Sequence, residues 1–185
     1  MSPRRAYALT IAIVLAAAVL EWLLGRLWWC KCGSLSPSSW DVWSTHNSQH
    51  LIDWYSFSHV QHGLVFYGIL HLLTPRSSLG WRLVVSTAVE AFWEVLENSP
   101  IIIDRYRAVT ASLDYYGDSI LNSASDVACC AFGFWLTTRL PGRMSIALFV
   151  LIEVVMILWI RDSLLLNVLM LTWPIEAIRQ WQLPS

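Results

Sequence analysis

The sequence predicts an all-α protein, a polytopic bundle of transmembrane helices, and three observations carry that prediction. Apolar residues make up 56% of the 185 and charged residues only 14%, where a soluble domain carries about a quarter charged. The apolar residues gather into stretches near ~20 residues, the length that crosses a ~30 Å hydrocarbon core. Twelve Trp supply the indoles of an interfacial belt. A single integral-membrane domain, 1–185, accounts for the chain, and a net charge of −1 offers no basic field to nucleic acid.

Five spans follow in order: 6–25, 57–74, 81–101, 118–138 and 144–160. The first has Arg4 and Arg5 before an Ala-rich core, as a signal peptide does. Glu21-Trp22-Leu23-Leu24 after that core is a poor cleavage context, so the segment reads as an uncleaved span. A weaker sixth stretch, 163–181, is interrupted by Pro174, Glu176 and Arg179. It reads as a short span in preference to a helix lying in the interface, with Asp162 or Ser163 capping its start. Loop 26–56 holds Trp28, Trp29, Trp40, Trp43 and Trp54, which predicts that it lies on the outer membrane surface.

Arginines set the orientation. Arg4 and Arg5, Arg76 and Arg82, and Arg139 and Arg143 flank alternate ends of the spans, without an acid among them. The excess of basic residues on cytoplasmic loops therefore places the N-terminus in the cytoplasm. A multi-pass protein of a bacterial inner membrane is expected, with the lipid bilayer as its constant partner. The two cysteine pairs, Cys30/Cys32 and Cys129/Cys130, are neither a disulfide scaffold nor a four-thiolate zinc pattern. The first can form a strained bridge in an oxidising compartment; the second reads as packing.

The informative feature is acid inside the spans. Glu21, Glu90, Glu94, Glu97, Asp126 and Glu153 fall within them, and no Lys or Arg lies in a span interior. A charge at the bilayer centre costs at least ~2.5–3.5 kcal/mol, so these groups must be protonated, face water or meet a cation. Glu90, Glu94 and Glu97 share one helix face at i, i+4, i+7, and Asp118, Asn122 and Asp126 form a second stripe. His59 and His62 sit at i, i+3 where the second span begins. At a rise of ~1.5 Å per residue these groups converge in the outer half of the bundle.

This convergence predicts a metal site of His59, His62, Glu94, Glu97 and Asp126, since imidazole and carboxylate are ordinary ligands of zinc, iron or manganese alike. His46 and His50 can add to it. Glu90, Glu94 and Asp126 are the candidate acids and bases, because neighbouring carboxylates split their pKa values. A hydrogen-bonded network between helices is the bland account of the same groups. Arg105 and Arg107, just outside the third span, are placed to clamp an anionic head group, with Asn122 as a further substrate contact; a surface ion pair with Asp104 and Asp114 is the simpler alternative. His71 and Glu153 read as structural, Glu21 as reaching the interface, and Asp118 as a helix cap. The motifs G-x-x-x-x-G-K-[ST], G-x-S-x-G and H-E-x-x-H are absent from the sequence.

The runs Ser58-His-Val-Gln-His-Gly63, Glu90-Ala-Phe-Trp-Glu-Val-Leu-Glu-Asn-Ser-Pro100, Asp104-Arg-Tyr-Arg107 and Tyr116-Gly-Asp-Ser-Ile-Leu-Asn-Ser-Ala-Ser-Asp126 resemble uncharacterised protein family 0314. The resemblance covers most of the chain and implies a small bacterial inner-membrane protein. It brings no activity and no site residues. From the residues themselves the leading expectation is metal-assisted hydrolysis or transfer on a lipid or envelope substrate. A proton- or cation-coupled transporter and a non-catalytic membrane assembly factor are the rivals.

Overall fold

The computed structural model describes residues 1–110 and 114–183, and among them the regular elements are eight α-helices. They are α1 (Pro3–Leu23), α2 (Ser56–Leu73), α3 (Leu79–Glu97), α4 (Pro100–Val109), α5 (Ile120–Arg139), α6 (Gly142–Ile160), α7 (Leu164–Thr172) and α8 (Glu176–Gln182). Serines open three of them: the hydroxyls of Ser78, Ser119 and Ser163 accept the amides of Trp81, Asn122 and Leu166. Pro3 and Pro100 occupy first-turn positions where no amide is needed. Three helices, α1, α5 and α6, are long and apolar enough to cross a membrane. At 18 and 19 residues, α2 and α3 are of similar length; they are the helices that carry His59, His62 and the Glu90 stripe.

Most expected boundaries shift by one to three residues, and two differ further. The third stretch ends at Glu97 instead of 101, because Ser99 is extended before Pro100 (ψ 151°) and α4 starts afresh there. The stretch 163–181 is not one helix. Trp173, Pro174 and Ile175 separate α7 from α8. The nine residues of α7 reach ~14 Å, under half of a ~30 Å core. Ser163, one of the two expected caps, does start α7, while Asp162 accepts the amide of Ser163 at 2.8 Å and the Tyr55 hydroxyl at 3.1 Å.

The centre of the bundle is the contact of α2 with α5. Gly63 and Gly133 let the two backbones touch: a Cβ on Gly63 would lie 2.0 Å from the Cys130 carbonyl, and one on Gly133 2.0 Å from that of Val60. Small residues serve this purpose between membrane helices. The two helices run parallel, since Ser56 meets Asp126 at one end and Tyr67 meets Phe134 towards the other. Around this pair, α1 packs on α3 and α5 through Ala17, Ala91 and Val127, and α6 meets α2 where Gln61 donates to Glu153 at 2.8 Å.

The N-terminal amine donates to Ser78 at 3.1 Å, so the start of α1 and the α2–α3 turn share one end of the bundle. Arg82 is buried there, held by His71 and by the carbonyls of Thr74 and Pro75; the structural reading of His71 fits this contact. At the other end, loop 26–56 folds onto the bundle. Ser119 and Ile120 donate backbone amides to Ser48 and Leu27, and Gln49 reaches the Gly117 carbonyl at 2.7 Å. The loop is thus more than a surface layer: Ser48, Gln49, His50 and Asp53 are all buried.

Candidate functional site

Because α2 begins, α3 ends and α5 begins at the same end, their polar residues meet. His59 Nδ1 lies 2.6 Å from Glu90 Oε1 and 3.2 Å from Glu94 Oε1, and His59 Nε2 lies 3.8 Å from Asp126 Oδ2. His62 Nδ1 is 3.0 Å from both oxygens of Glu90. Glu90, Glu94, Asp126 and His59 are buried, while His62 is half-buried. His59, His62 and Glu90 each offer a donor atom within 4.8 Å of the others, so the three can hold a metal ion.

These residues stand at a cavity of about 300 Å³, lined by His59, His62, Glu90, Glu97 and Asp126, with Tyr55, Tyr106 and Tyr115 on its walls. The lining is apolar elsewhere, with Phe66 stacked on His62 and Val89, Phe92, Trp93, Leu164 and Val168 beside it. Val89, Phe92 and Val168 are also exposed on the outside of the bundle, so the apolar wall continues to the surface. Among the described residues the cavity wall carries no Lys or Arg. Four carboxyls, Glu90, Glu97, Asp118 and Asp126, line it together with two imidazoles, and a fifth, Glu94, stands against His59. Glu94 Oε1 is buried without a hydrogen-bond partner, which leaves an acceptor aimed at His59 unsatisfied.

The residues expected from sequence divide into three groups. His59, His62, Glu90, Glu97 and Asp126 come together at the cavity. Glu90, expected as an acid or base, is the carboxylate that touches both imidazoles. Glu94 stands behind His59 and is 1% exposed. Asn122 faces the loop instead, donating to the His50 carbonyl at 2.7 Å and to Asp53 at 3.4 Å. Arg105 donates twice to the Leu171 carbonyl, and Arg107 donates to Tyr115 and pairs with the exposed Asp104 at 3.6 Å. Arg107 thus makes the ion pair of the simpler alternative, while Arg105 ties α4 to the backbone of α7.

Other expectations shift as well. Asp118 is no helix cap; Ser119 caps α5, and Asp118 accepts from Tyr115 at 2.8 Å and from Asn98 at 3.0 Å. Glu21 does not reach the interface: it is 1% exposed, wedged against Ile120 and Ser123 of α5. Glu153 accepts from Gln61 and from the Leu165 amide. His46 and His50 lie with Cys30 and Cys32, away from the bundle cavity, and all four cysteines are free, so the first pair forms no bridge.

Asp53 is a site residue that sequence reading passes over. Its carboxylate accepts the amides of Ser48 at 3.1 Å, Tyr55 at 2.7 Å and Ser56 at 3.2 Å. It thereby ties the loop to the start of α2, and the Ser56 hydroxyl donates to Asp126 at 2.8 Å. Burial pushes the Asp53 carboxyl up, against the pull of these amides and of His59. The signal was an acid three residues ahead of Ser56, an ordinary capping arrangement hidden among tryptophans. Also in the cavity wall, Tyr106 donates to Asn167 at 3.0 Å, joining α4 to α7.

Comparison with known proteins bears out the resemblance drawn from Ser58–Gly63 and Glu90–Asp126. The family model for a protein of unknown function (DUF2585) matches residues 21–184. A UPF0314 protein of Paracoccus denitrificans is 53% identical over 176 residues, 95% of this chain and 91% of the relative. One from Rhizobium meliloti is 49% identical over 170 residues, covering 91% and 86%, and one from Brucella anthropi is 43% identical over 178 residues, covering 93% and 88%. No solved structure matches.

Proposed function

The chain belongs to the UPF0314 family, described by the DUF2585 model, and from that premise we propose that it is a metal-dependent hydrolase or transferase of the bacterial inner membrane, acting on a lipid or envelope substrate. One observation carries the reading: donor atoms of two imidazoles and a carboxylate lie within 4.8 Å of one another in a cavity lined by both polar and apolar side chains. In this reading α1, α2, α3, α5 and α6 cross the bilayer. The ends bearing Arg4 and Arg5, Arg76 and Arg82, and Arg139 and Arg143 face the cytoplasm. The cavity then lies towards the outer face.

His59, His62 and Glu90 are the donors proposed for a divalent cation such as zinc, iron or manganese. His59 Nε2 and Asp126 Oδ2, at 3.8 Å, are too far apart for a hydrogen bond. The cation would supply Lewis-acid chemistry and balance carboxyls that no Lys or Arg meets. Asp126, fixed by Ser56 and facing the cavity, takes the proton of an attacking water or hydroxyl and returns it to the leaving group. Glu94 balances charge behind His59. The apolar wall of Phe92, Val89 and Val168 suits the chain of an amphiphile entering from the bilayer, with its head group at the imidazoles.

The test is the divalent-metal content of detergent-purified protein, wild type beside His62→Ala and Glu90→Gln. Both variants should lose one equivalent while keeping the helical spectrum of the wild type. Equal metal in all three proteins would overturn the metal reading. For the reaction, cells carrying Asp126→Asn should show the lipid and envelope profile of a deletion strain; a profile restored by that variant would remove Asp126 from catalysis.

A further inference from the structure

We infer that Cys30, Cys32, His46 and His50 form a second, structural zinc site that fastens loop 26–56 to the outer end of the bundle. This site is separate from the bundle cavity and does not depend on its function. One donor atom from each of the four residues lies within 4.8 Å of the others. The Cys30 sulfur is 3.3 Å from His46 Nδ1, and the Cys32 sulfur is 3.9 Å from His50 Nε2. Zinc bonds of about 2.3 Å to sulfur and about 2.0–2.1 Å to nitrogen place S and N about 3.6 Å apart in a tetrahedron, and the two observed distances straddle that value. Two thiolates and two imidazoles form a closed set of structural type, with no position left for a substrate.

The surroundings are built for ligation. His50 Nδ1 donates to the Ser36 carbonyl at 2.6 Å, which leaves the Nε2 lone pair facing Cys32. This is the arrangement that orients metal-bound histidines. The amides of Cys32 and Ser34 point at the sulfurs of Cys30 and Cys32, at 3.3 and 3.4 Å, as donors to thiolates do. Gly33 makes this turn with φ +71°, a conformation L side chains rarely adopt. Cys30 and His50 are buried. His50 also accepts the Asn122 amide on its carbonyl at 2.7 Å, so an ion on its ring would pin the loop directly to α5.

Cobalt(II) reports this site without interference from the bundle cavity, because only thiolate ligands give an intense sulfur-to-cobalt charge-transfer band. Full-length protein in detergent, loaded with cobalt(II), should show the band at one equivalent, and zinc(II) should abolish it. Cys32→Ser and His46→Ala, at positions exposed enough to leave the fold intact, should each lose the band or its tetrahedral signature, whereas His62→Ala keeps it. Wild type with titrated free thiols and no charge-transfer band would overturn the proposal. So would a Cys30–Cys32 disulfide in protein purified without reductant.

Discussion

Replacing Gly63 by Ala tests the frame on which the cavity rests. The added Cβ would stand 2.0 Å from the Cys130 carbonyl oxygen, 2.5 Å from the Phe134 nitrogen and 2.9 Å from the Gly133 carbonyl carbon. All three are backbone atoms of α5, so no side chain can rotate away. Restoring an ordinary contact of about 3.5 Å requires α2 and α5 to separate by roughly 1.5 Å. Overpacking of this kind costs about 1–3 kcal/mol, offset by up to about 1 kcal/mol from the better helix former. The net is a loss of about 1–2 kcal/mol, a few degrees in melting temperature for a chain of this size. Gly68, in the same helix, is the control, because a Cβ there meets nothing within 4 Å. Gly68→Ala should be neutral or slightly stabilising. Thermal unfolding in one detergent reads both. Equal effects of the two variants, or no loss at Gly63, would refute the close α2–α5 contact.

Asp53→Ala should destabilise by about 2–4 kcal/mol in the same assay, since it orphans buried amides of Ser48, Tyr55 and Ser56. Asp104→Ala, removing an exposed ion pair with Arg107, should stay within about 0.5 kcal/mol. Asp162 supplies a pH test: burial pushes its carboxyl up to about 6. A raised folded-state value contributes stability that is complete below the ordinary aspartate pKa of about 3.9 and lost as pH rises through about 6. Wild type should therefore gain on Asp162→Asn between pH 7 and pH 4, by at most roughly 3 kcal/mol, as read from melting temperatures across that range; a constant difference would argue against a raised value.

Much of the site is legible in the sequence, because helix phase and direction are arithmetic. Spacing at i, i+4, i+7 puts Glu90, Glu94 and Glu97 on one face, and alternating direction puts His59 and Asp126 at the same depth. What phase cannot give is the register of one helix against its neighbour. Glu90 and Glu94 are one turn apart, and which of them meets both imidazoles depends on how α3 slides along α2. That register is a tertiary result; the backbone contact at Gly63 and Gly133 fixes α2 against α5, not against α3. The break at Pro100 is a local signal, yet the apolar run through Ile101, Ile102 and Ile103 hides it. The loop is harder still. Its cysteines and histidines follow a Cys-x-Cys, Cys-x13-His, His-x3-His pattern, one residue short of the usual first spacing. Without periodicity to place the loop, the two pairs read as unrelated.

The loop and the cavity are joined by a continuous set of contacts. The His50 carbonyl accepts from Asn122, Asn122 reaches Asp53 at 3.4 Å, Asp53 caps the amide of Ser56, and the Ser56 hydroxyl holds Asp126 at 2.8 Å. Asp126 then faces His59. Spatial continuity alone is not energetic coupling, which needs an element with two arrangements that both ends bias. The strength of each link shows where such an element can lie. The bond of Asn122 to Asp53 is the longest hydrogen bond in the series, whereas Asp53 is anchored independently by the amides of Ser48 and Tyr55. Order in the loop therefore reaches the cavity mainly through the Ser48–Asp53 turn, with Asn122 serving to dock the loop on α5. On this account the stretch from Asp53 to His59, the turn ahead of α2 and its first residues, is the element that both the loop and the cavity can bias, because Asp53 holds the turn from the loop and His59, the fourth residue of α2, belongs to the site.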